Sequence, residues 1–135
     1  MIREIIIVSV LITLIDLLFL KYILMPLFGK MVQEIQLSEM KPNMTYIFVP
    51  YILMIISIVV FVLPLVKSES IGKDSILYGG LLGLIIFGIY EFTNMVIFKN
   101  YKFHIAVFDT IWGIVLYSIV TFLTKTIILY LKDLI

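Results

Sequence analysis

Four residues that carry chemistry sit inside runs that are otherwise hydrocarbon: Asp16, Glu91, Asn94 and Asp109. Three carboxyl groups and an amide at membrane depth have few uses. They bind a cation, relay protons, hold the polar head of a lipid, or hydrogen-bond between helices and so decide which helices pack. Each carboxylate inside a span costs roughly 2.5–3.5 kcal/mol on insertion scales, so three left ionised and alone would cost on the order of 8–10 kcal/mol. Lys21 is the one lysine within an apolar run, and it cannot neutralise three acids. At least one carboxyl is therefore expected to be protonated, through burial and like-charge repulsion, unless a cation or a file of water balances the set.

Other chemistry lacks its parts. The chain has no cysteine and a single histidine, His104 at a helix start. Disulfides and thiolate sites are excluded, nucleophilic catalysis is without its usual groups, and no catalytic residue is assigned. Three carboxylates and an amide suit a hard cation, but no Glu-x-x-His pair accompanies them, so no metal or cofactor is assigned. A net charge of +1 provides no basic stripe, which excludes nucleic acid as a partner.

The elements that position these residues follow from composition. The 135 residues are 63% hydrophobic and 14% charged, with mean hydropathy +1.21; a soluble domain is about half apolar and about a quarter charged. This is the composition of an integral, multi-pass membrane protein with lipids as its first partners. One membrane domain over 1–135 is expected, with spans at about 5–28, 46–66, 76–98 and 103–123. Each meets the requirement of about 20 residues for a core of about 30 Å. The first run follows Arg3, but it is too long for a signal core, contains Asp16 and has no small-x-small cleavage site after it, so it reads as a retained helix.

Short connections at 67–74 and 99–102 favour antiparallel neighbours. The expected fold is all-α, a four-transmembrane-helix antiparallel bundle with both termini on one side. Arg3, Lys67, Lys73, Lys125 and Lys132 share the terminal side, against Lys30, Lys41, Lys99 and Lys102 on the other, a weak bias toward cytoplasmic termini. Between the first two spans, Met31, Val32, Ile35 and Met40 fall at roughly helical spacing. That suits an interfacial amphipathic helix over 30–40; a solvated loop is the alternative.

At 100° per residue the faces can be computed. In the third span Gly80, Gly83, Phe87, Tyr90, Glu91 and Asn94 all lie within about 120° of Gly79, and the remaining arc is what lipid requires. In the fourth, Thr110, Gly113, Tyr117, Val120, Thr121 and Thr124 lie within about 120° of Asp109, with Trp112 on the opposite arc, where packing against lipid or a partner is expected. Asp16 shares a face with Ser9 and Thr13. The second span has no polar face and is expected at the periphery. Gly79-x-x-x-Gly83 allows close backbone approach. Glu91 lies about 10 Å from the end of its helix and Asp109 about 9 Å from the start of the next, at 1.5 Å per residue, so a turn at 99–102 sets both at one level. The expected intramembrane polar cluster is Asp16, Lys21, Tyr90, Glu91, Thr93, Asn94, Asp109 and Trp112, packed through Gly79, Gly80, Gly83 and Gly113; Lys21 alternatively snorkels to the interface.

An acid in the first span (Asp16), Lys41-Pro42-Asn43 before the second, Gly80-x-x-Gly83 leading to Tyr90-Glu91-Phe92-Thr93-Asn94, and Asp109-x-x-Trp112-Gly113 together resemble the predicted membrane protein family designated domain of unknown function 2177. The resemblance covers nearly the whole chain. The family's usual acid before Thr-Asn is Asp, and Glu91 is one methylene longer. The resemblance implies a four-span membrane protein and brings no activity with it. Members occur in bacteria, beside lipid-modifying neighbours, and in some large DNA viruses; the single alanine, Ala106, amid abundant isoleucine fits an AT-rich genome and the second setting.

Two expectations follow. One is a structural or interaction protein, a component of a larger membrane-associated assembly such as a virion membrane, with other membrane or assembly proteins as partners and a closed polar interior. The other is a lipid, small-molecule or ion handling protein, carrier or membrane enzyme, with an open cavity at the level of Glu91 and Asp109.

Overall fold

The computed structural model describes all 135 residues as four helices: Ile2–Gln36 (α1), Met44–Leu65 (α2), Ser68–Ile97 (α3) and Phe103–Asp133 (α4). Each is long and apolar enough to cross a membrane. Residues 30–36, expected in a separate interfacial helix, continue α1, which ends only where Leu37 turns left-handed at φ 58°. At 1.5 Å per residue α1 is about 52 Å long, well beyond a hydrocarbon core of about 30 Å.

The helices are continuous but not uniform. The turn Leu20–Leu24 is widened just before Pro26, and Ser57–Val62 just before Pro64. A proline ring pushes away the carbonyl four residues back and removes an N–H, and a widened turn absorbs both changes without ending the helix. Asn43, from the Lys41-Pro42-Asn43 stretch, starts α2 by accepting the Thr45 N–H at 3.0 Å, which satisfies an otherwise orphaned donor.

Helix α4 is the central element. Against one side α3 packs almost backbone to backbone: a Cβ on Gly83 would lie 2.0 Å from the Gly113 carbonyl oxygen, and one on Gly79 2.8 Å from Thr121 Oγ1. Against another, Leu116, Tyr117 and Val120 join Val8 and Ile12 of α1 and Ile58 and Leu63 of α2 in one buried cluster. The second span is therefore not peripheral. Its apolar face supplies core, and its Ser57 hydroxyl pairs with Tyr117 Oη at 3.0 Å, a contact that a polar-face criterion does not detect. Met1, Glu4, Lys125 and Lys132 line one hollow, so both chain ends lie at one end of the bundle. Leu14, Leu53, Ile85, Ile89, Ile111 and Val115 are exposed, as side chains that face lipid should be.

Candidate functional site: two buried carboxyl stations

The glycine seam sets the register of the first station. Gly79 meets Thr121, Gly83 meets Gly113 and Tyr117, and Phe87 meets Gly113. One turn beyond Phe87 and one turn before Gly113, the same antiparallel register brings Glu91 against Asp109. Glu91 is 0% exposed and Asp109 5%. Glu91 Oε2 accepts the Tyr101 hydroxyl at 2.5 Å. Glu91 Oε1 and Asp109 Oδ1 are buried with no partner, and no basic side chain pairs with either acid.

Tyr101 comes from the turn between α3 and α4, where Asn100 takes φ 68°. Burial, and then its bond to Glu91, hold its phenol above the ordinary range, so it remains a donor at neutral pH. Its other side faces a pocket of about 250 Å³ lined by Phe28, Val32, Ile35, Gln36, Tyr90, Asn94, Phe98 and Tyr101. Val32 and Ile35, expected on the membrane surface, thus form a wall of this pocket with Phe28 from the end of the expected first span. Phe28 meets the Tyr101 ring edge-on, Met31 Sδ accepts the Lys102 N–H at 3.2 Å, and Glu34 pairs with Lys102 at 3.1 Å.

The second station is Asp16, deeper in the bundle. Oδ1 accepts the Trp112 indole N–H at 2.9 Å, and Oδ2 accepts the Tyr51 hydroxyl at 2.7 Å. The indole also stacks on Phe19 at 3.9 Å. Asp16 therefore joins α1, α2 and α4 with both oxygens used, the pattern expected of a structural polar contact.

The expected single cluster is thus divided. Glu91 and Asp109 meet, and Tyr90 and Asn94 line the adjoining pocket. Asp16 and Trp112 form their own station; Trp112, half-buried, turns its N–H to Asp16 and a ring face to Phe19, because α4 is covered on more than the glycine side. Lys21 does not join either acid: it is exposed and lies over its neighbour Tyr22. Thr93 is exposed too. Tyr51 and Tyr101 are the members that sequence reasoning did not select. Tyr101 had one signal, a hydroxyl on the four-residue connection that joins the helix of Glu91 to the helix of Asp109. No three His, Cys, Asp or Glu side chains come together in a way that could hold a metal ion.

Removing the Tyr101 hydroxyl isolates its contribution. Tyr101→Phe is expected to lower unfolding free energy by about 1–2 kcal/mol, the scale of a hydrogen bond to a carboxyl in a membrane protein. Denaturant unfolding in detergent checks this, and an unchanged midpoint would remove Tyr101 from the station.

The model of the predicted membrane protein family DUF2177 matches residues 1–126. No curated protein and no solved structure matches the chain.

Proposed function

Since the chain belongs to the DUF2177 family of predicted membrane proteins, we propose that it is a membrane-embedded binding protein that holds the polar end of an amphiphile at Tyr101, Glu91 and Asp109. The single observation behind this reading is the pair of buried carboxyl oxygens, Glu91 Oε1 and Asp109 Oδ1, that have no partner. Asp16, in the same bundle, has both oxygens satisfied. The other unpaired buried atoms of the interior, on Ser75, Thr121 and Thr124, are neutral hydroxyls, whereas an unpaired carboxyl oxygen at membrane depth costs far more and calls for a donor. The pocket beside Tyr101 supports the reading further: Phe28, Val32, Ile35 and Phe98 are apolar, and Gln36, Tyr90, Asn94 and Tyr101 add polar groups, the combination that small-molecule sites have. With the termini in the cytoplasm, as the lysine bias suggests, an amphiphile would enter from the opposite leaflet.

The test is native mass spectrometry of the protein extracted gently from its own membrane, beside Glu91→Gln and Asp109→Asn. Loss of a retained small molecule from folded variants is the expected result. A large, fixed stoichiometry with other proteins and no small molecule on the wild type would instead support a component of a larger assembly, a viral membrane among the settings. That outcome would end the binding reading.

A further inference from the structure

The occupant's chemistry follows from a charge the site lacks. Two carboxyls lie side by side at membrane depth, where negative charge is costly unless a cation offsets it. The chain supplies none. The molecule's two ion pairs, Met1 with Glu4 and Lys102 with Glu34, are both elsewhere, and none of the pocket's eight lining residues is basic. Lys102, the nearest lysine in sequence to Tyr101, is engaged by Glu34. A site with this balance repels phosphate and carboxylate heads, whereas an organic cation offsets its charge.

Resting on the binding reading above, we propose that the site takes the primary ammonium of a single-chain amphiphile. The ammonium offsets the charge of the Glu91–Asp109 pair and donates to the oxygens that now lack partners, while the chain lies against Phe28, Val32, Ile35 and Phe98. Ammonium protons suit this role because the rim is rich in acceptors: the Asn94 and Gln36 amide oxygens and the Tyr90 and Tyr101 hydroxyls. Tyr101 stands between pocket and carboxyl, bonded to Glu91 on one side and lining the pocket on the other. It sits in the connection between α3 and α4 rather than on a helix, so its phenol can turn aside and leave Glu91 Oε2 to the incoming head group.

The probes are decylamine, an ammonium at pH 7, and decanol, the same chain with an uncharged head. Each is added to the full chain in an uncharged detergent and counted by native mass spectrometry. One decylamine per chain is expected at a concentration about tenfold below that needed for decanol, equivalent to roughly 1.4 kcal/mol. The preference should vanish in the Glu91→Gln/Asp109→Asn double variant and persist in Asp16→Asn. Equal retention of amine and alcohol by the wild type overturns the ammonium assignment and leaves the binding site standing. Retention of neither overturns both. The wild-type ratio decides the matter even if the double variant does not fold.

Discussion

Gly83→Ala is expected to prevent native packing of α3 on α4. The added Cβ would lie 2.0 Å from the Gly113 carbonyl oxygen and 2.6 Å from its carbon, and neither is a side chain that can rotate away. Relief requires the two helices to separate by more than an ångström along a seam where Gly79 and Gly80 also rest on Thr121 and Ser118. Overpacking in a core typically costs 1–3 kcal/mol, and a clash between two backbones belongs at about the top of that range or above it. Separation would also draw Glu91 away from Asp109, so any bound molecule should be lost with the fold. Gly113→Ala meets the Phe87 side chain, Cγ at 2.4 Å and Cβ at 2.7 Å; the ring can swing but the Cβ cannot, so a loss between those of Gly83→Ala and the control is expected. Gly72→Ala, with nothing within 4 Å, serves as the control. Reversible unfolding in detergent ranks the three, and a Gly83→Ala midpoint equal to that of Gly72→Ala would contradict the packing described here.

Asp16→Ala is the second large effect. It removes the acceptor from two donors at once, the Tyr51 hydroxyl and the Trp112 N–H, and leaves both in an apolar interior. Each buried donor without a partner costs about 1–3 kcal/mol, so a loss of about 2–4 kcal/mol is expected after partial relaxation. Asp16→Asn, which keeps an acceptor, should lose about half as much or less. Trp112 is the only tryptophan, so its emission reports the event directly: without the carboxyl at its N–H the maximum should move to shorter wavelength. Unchanged emission in Asp16→Ala would show that the indole is not bonded there.

Much of this architecture was legible in the residues, for physical reasons. Hydropathy and length required four spans, because nothing else hides such runs from water. Helical periodicity assigned Gly79, Gly83, Glu91 and Asn94 to one face, and the short turn at 99–102 matched Glu91 with Asp109 in depth. Periodicity reads one face at a time, however, and α4 uses more than one. That is why Trp112, opposite the glycine face, appeared to be turned toward lipid. The Tyr51–Asp16 bond spans 35 residues, and no spacing rule reaches that far. The segment 30–40 showed its apolar stripe but not what the stripe would cover, since a membrane surface and the top of a neighbouring hairpin are equally apolar.

The length of α1 has a mechanical consequence. One rod carries Asp16, fixed to α2 and α4 by two hydrogen bonds, and further along carries Phe28, Val32 and Ile35, which face Tyr90, Asn94 and Phe98 across the pocket. The apolar stretch of α1, about 5–28, meets a thinner or thicker bilayer by tilting. With its middle pinned, tilt moves the outer third like a lever about Asp16. A change in the tilt of α1 should therefore change the width of the pocket, with Asp16 as the fulcrum.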